Sequence, residues 1–127
     1  MNHGTHVLVV SRDQMLLQTR ALILGAYFQV ESAGRVAEAE AAMAKISFDL
    51  VVLCYSLSDG EYQRLVELCQ SQTPRPRILA LHTAGNGRPR PGSDSEYAVE
   101  QGPYDLLKKT AEVLGHPLKA IGRAGRS

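Results

Sequence analysis

Cys54, His82 and Arg12 are the side chains whose type and position suggest chemistry. Cys54 follows the apolar run Leu50 to Leu53, and His82 follows Ile78 to Leu81. If both runs are strands, the two residues stand at carboxyl ends, where open α/β sheets form their ligand crevice. An imidazole that lowers the pKa of a neighbouring thiol makes a nucleophile or a redox centre. Arg12 comes just after a third run, His6-Val-Leu-Val-Val10, and with the free N–H groups of a following helix it makes a small-anion site. The plainer roles carry more weight. Cys54 is then a small, semi-buried filler, and Arg12 an internal cation paired with Asp13, Asp59 or Glu100.

The elements that must hold these residues are legible from periodicity. Leu50 to Leu53 is short and rich in β-branched residues, as a strand covered on both faces is. The spacing of Met15, Leu16, Thr19, Leu22, Ile23 and Ala26 predicts the buried face of a first helix, capped by Asp13. Phe28 to Ser32 alternates as an edge strand. Val36, Ala39, Met43 and Ile46 mark a second helix, and Tyr62, Leu65, Val66 and Cys69 a third, with Asp59 as its expected cap. Between Thr83 and Ser95 the density of Gly and Pro excludes a helix of any length. Tyr97 to Val99 reads as a weak last strand. A final helix opens at Pro103, carries Leu106, Leu107, Thr110, Val113 and Leu114 on its buried face, and ends at Gly115. Alternation of strands and helices at this spacing predicts a parallel sheet with helices on both faces.

Composition narrows the function. The 127 residues form one domain, which buries about two-thirds of its unfolded surface. A net charge of +1 and 44% hydrophobic residues exclude disorder and give no support to nucleic-acid binding. No apolar stretch approaches the roughly 20 residues of a membrane span, so a cytoplasmic protein is expected. Cys54 and Cys69 are expected as free thiols. His3 and His6 lack the acids or cysteines that would make a metal site, and Arg88 and Arg90 between prolines read as solvated surface. Tyrosine-phosphatase chemistry needs Cys-x5-Arg, but the sixth residue after Cys54 is Gly60. No Walker loop, dinucleotide fingerprint or flavin phosphate loop occurs.

The opening Val-Leu-Val-Val, the stretch Phe48-Asp-Leu-Val-Val-Leu-Cys-Tyr-Ser-Leu-Ser-Asp-Gly60 and Ile78-Leu-Ala-Leu81 together resemble the receiver domain of bacterial two-component response regulators. The resemblance spans about His6 to Gly115. It implies an α/β, three-layer α-β-α fold with a five-stranded parallel sheet in the order 2-1-3-4-5, here with the fourth helix short or missing. It also implies a site, which fails residue by residue. The acidic pair that holds magnesium in receivers corresponds to Ser11 and Arg12, with Asp13 one place late. The phosphoacceptor aspartate corresponds to Cys54, the hydroxyl residue of the fourth strand to His82 or the adjacent Thr83, and the lysine of the fifth strand to Glu100. Phosphoryl transfer needs hard oxygen ligands for the metal, and Arg12 places a cation there instead.

The expectation is therefore a degenerate receiver-like domain over residues 1–115 with a flexible basic tail over 116–127. It is not an enzyme, and it needs no cofactor and no metal. Its partners are proteins: a histidine kinase, another receiver or an output protein, with a homodimer as a further option. The alternative is a thiol, redox or small-anion site at Cys54, His82 and Arg12.

Overall fold

The computed structural model describes residues 5–82, 92–98 and 103–115. Strand β1 (His6–Val10) is followed by helix α1 (Gln14–Gly25), edge strand β2 (Gln29–Ala33), α2 (Val36–Lys45), β3 (Leu50–Leu53), α3 (Asp59–Gln70), β4 (Arg77–His82), β5 (Ser95–Ala98) and α4 (Pro103–Leu114). The strands form one sheet in the order β2-β1-β3-β4-β5, and every neighbouring pair is parallel. Val10 lies beside Leu53, and Leu53 beside Ala80. The carboxyl ends of the three central strands therefore open onto one edge.

Alternation along the strands divides the core into two layers. Leu8, Val10, Val51, Leu53, Ile78 and Ala80 pack with Ala39 and Met43 of α2 and with Tyr62, Leu65, Val66 and Cys69 of α3. Val7, Val9, Leu50, Val52, Cys54, Leu79 and Leu81 pack with Leu17 and Leu24 of α1 and with Leu106, Leu107 and Val113 of α4. This is the three-layer α/β arrangement expected from the sequence. Each fully buried leucine contributes about 1.5–3 kcal/mol relative to an exposed one.

Helix α1 departs from expectation. It buries Leu17, Arg20 and Leu24, while Met15 and Leu22 are each 78% exposed and Thr19 and Ala26 face solvent. The segment carries two overlapping apolar stripes and a single charged residue, so polarity does not mark which side turns outward. Asp13 is the N-cap, as expected, accepting from the N–H groups of Met15 and Leu16. The cap of α3 is Ser58 rather than Asp59. The Ser58 hydroxyl accepts from Glu61 N–H at 3.1 Å and the Glu61 carboxylate accepts from Ser58 N–H at 2.9 Å, a reciprocal capping box.

Strand β5 begins at Ser95, two residues before the expected Tyr97, because Ser95 already pairs with Leu79. Gly115 ends α4 with φ +79, a left-handed conformation that glycine adopts without a Cβ clash. The expected short or missing fourth helix, Thr83, Arg88, Arg90, Glu100, His3 and the basic tail all lie outside the described residues.

Candidate functional site

The pleat decides which side chains meet at the strand ends. Continuing β1, Ser11 falls on the same side as Val7 and Val9, facing α1, and Arg12 on the opposite side. Continuing β3, Cys54 joins Leu50 and Val52 on the α1 side. Ser11 and Cys54 are both wholly buried, and Cys54 N–H donates to the Val10 carbonyl at 3.1 Å.

Two hydroxyls tie the β1–α1 and β3–α3 turns together. Ser11 Oγ lies 3.0 Å from Ser56 Oγ, and Ser56 Oγ accepts from Arg12 N–H at 3.0 Å. Ser11 Oγ also accepts from Asp13 N–H and can donate to the Asp13 carbonyl, both at 3.2 Å. Either hydroxyl can be the donor between Ser11 and Ser56. In the resemblance a metal is held at this edge; here two neutral hydroxyls link the turns.

The side chain of Arg12 is not part of this cluster. Its guanidinium reaches Glu61 at 2.8 Å, with the arginine side chain 53% exposed. The acid it pairs with is thus Glu61, which was not among Asp13, Asp59 and Glu100. His82 is not brought to Cys54 either. Leu79 and Leu81 share the layer of Cys54, so alternation sends His82 to the α2/α3 side with Ile78 and Ala80. Among the described residues the charged groups acting on the thiol are Arg20 and Asp13.

Arg20 is the site residue that sequence reasoning missed. It is 7% exposed, its Nη1 is buried without a hydrogen-bond partner, and its guanidinium carbon sits 5.6 Å from the centre of the half-exposed Tyr55 ring. The available signal was spacing, since Leu17, Arg20 and Leu24 recur at three and four. Burial pushes the Cys54 thiol above its ordinary value, more than the Arg20 charge and the donors of Arg20 and Ser11 pull it down; Asp13 adds to the rise. The thiol is therefore protonated at neutral pH and a weak nucleophile.

This donor set does not fit magnesium. Ser11 replaces one acid, Arg12 points away, the Asp13 carboxylate caps α1 and a guanidinium occupies the interior beside Cys54. Among the described residues no group of three or more His, Cys, Asp or Glu is placed to hold a metal ion.

Comparison with solved structures agrees with the architecture. The chain superposes on a CheY-like response regulator receiver domain of Methanospirillum hungatei with a TM-score of 0.73 and 24% identity, covering 87% of this chain and 94% of that one. The chemotaxis response regulator CheY4 of Vibrio cholerae gives 0.72 and 23%, covering 86% and 98%. A streptococcal chain described as one of a family of redox sensors evolved from two-component response regulators gives 0.72 and 16%, covering 87% of this chain and 51% of that one. No protein-family model matches the sequence, and no curated protein does. The chain has the fold of response regulator receiver domains.

Proposed function

We propose that this chain is a degenerate receiver-like module of a bacterial, cytoplasmic two-component system, acting through protein contacts and without aspartyl phosphorylation. The observation that carries this reading is the replacement of the acceptor carboxylate by a buried, protonated thiol beside a buried guanidinium. Phosphoryl transfer depends on positioned carboxylates and a divalent cation, and the donor set supplies neither role. The module is then not an enzyme, and its partner is a histidine kinase, another receiver or an output protein. Among the described residues no helix is long and apolar enough to cross a membrane. Incubation with acetyl phosphate and magnesium, followed by intact-mass measurement, should give no phosphoryl adduct. An adduct mapped to Asp13 or Asp59 overturns the proposal.

The redox alternative draws support from the streptococcal likeness, but the thiol environment weighs against it. Cys54 is fully buried with its thiol pushed up, and Cys69 is buried with its thiol pushed up to about 12. Both cysteines should react with a thiol-specific disulfide reagent at pH 7.5 only slowly in the folded protein, and rapidly once it is unfolded. Fast, selective modification of native Cys54 would restore the alternative.

A further inference from the structure

A buried guanidinium is stable only when something answers its charge, because the desolvation of an ion is large and is offset by a well-placed opposite charge or by hydrogen bonds. Arg20 has neither in full. Among the described residues its charge meets no carboxylate within ion-pair distance, and its buried Nη1 makes no hydrogen bond. Its neighbours are the Cys54 thiol, toward which both Arg20 and Ser11 direct a hydrogen bond, and the face of Tyr55, while Ser56 Oγ is shared between Ser11 Oγ and Arg12 N–H. Tyr55 is half-buried, and its ring centre lies 5.6 Å from the guanidinium carbon of Arg20.

We propose that Arg20 is the anchor of a binding site for a small oxoanion at the carboxyl end of β3, with Tyr55 as its movable cover. An oxoanion meets the planar fork of a guanidinium in two parallel charge-assisted hydrogen bonds, which a cation–π contact with one ring does not equal. Cys54 offers no competing negative charge while its thiol stays protonated. Among the described residues Asp13 is the acid whose charge acts on the neighbouring Cys54 thiol, and inorganic phosphate is the probe of the site. The site is distinct from the exposed Arg12, which is held by Glu61. It goes beyond the function proposed above, since binding here is reversible and forms no bond to the protein.

The full chain is titrated with inorganic phosphate at pH 7.5, with sodium chloride holding the ionic strength constant. The melting temperature should climb with phosphate and saturate in the millimolar range, and the side-chain NMR resonances of Arg20 should shift together with the amides of Cys54 and Tyr55. Arg20→Gln should weaken binding at least tenfold, and Arg20→Lys, which keeps the charge but loses the fork, should weaken it several-fold. Tyr55→Leu should bind at least as tightly as the parent. Melting curves that are the same in phosphate and in chloride overturn the site, as does a climb that survives in Arg20→Gln. If Arg20→Gln does not fold, the wild-type resonances decide: shifts confined to Arg64, Arg75 or Arg77 are equally fatal. Acetyl phosphate labelling reads covalent transfer and inorganic phosphate reads this equilibrium, so either proposal can fail alone.

Discussion

Helices α1 and α3 are of equal length, 12 residues each, yet they meet the sheet in different ways. Helix α3 buries the face its sequence advertises, Tyr62, Leu65, Val66 and Cys69, and turns charged residues outward. Helix α1 buries its one charged residue and exposes Met15 and Leu22. The difference shows how amphipathicity selects a face only when polar residues mark the other side. Where they do not, contacts with the sheet and the cap set the rotation, and here that rotation carries a guanidinium under the strand ends.

The largest test of this contrast is substitution across α1. Leu24 is wholly buried, so Leu24→Ala should cost about 2–5 kcal/mol in urea unfolding, as should Leu65→Ala on α3. Leu22→Ala should stay within about 0.5 kcal/mol. Equal costs at Leu22 and Leu24 would show that α1 sits in the rotation its apolar spacing first suggests, with Arg20 outside.

The same contrast explains what was legible beforehand. Strand β3 was readable because four consecutive buried positions leave no ambiguity, and the α3 face because its charges are segregated. The α1 face was not, since Leu16 and Ile23 are half-buried and belong to both candidate stripes. The strand-end placement of Cys54 and Ser11 was legible because they directly follow the apolar runs of β3 and β1. Arg20 was missed because its place depends on the rotation of a whole helix. Arg12 and His82 were misplaced because the period of two sends residues next to a site to the far side of the sheet. Asp59 was preferred to Ser58 as a cap, although Glu61 three residues after Ser58 completes the box.

The caps sharpen the comparison at smaller scale. Asp13 caps α1 through one carboxylate oxygen that accepts two N–H groups, at 3.0 and 3.2 Å. Ser58 caps α3 through a hydroxyl, with Glu61 returning the bond. Asp13→Ala and Ser58→Ala should each cost about 1 kcal/mol. Asp59→Ala should cost clearly less than Ser58→Ala, and the reverse order would return the cap to Asp59.

The smallest expected effect separates the two causes that act on Glu61. Its carboxyl is lowered from the ordinary 4.5, first by the bond it accepts from Ser58 N–H; burial opposes that bond, and the Ser58 side chain and the Arg12 charge add smaller reductions. A depressed folded-state pKa contributes stability that is present above the unfolded value and is lost as pH falls through the folded one. The α3 cap should therefore weaken below pH 4.5, and Glu61→Gln, which can still close the box, should show a flatter stability profile there. Because Arg12 is exposed, about 1 M salt screens its share and leaves the backbone bond nearly intact. A difference between parent and Glu61→Gln that persists in salt assigns the shift to the capping box. One that disappears assigns it to Arg12 and makes the tie between the β1–α1 turn and α3 chiefly electrostatic.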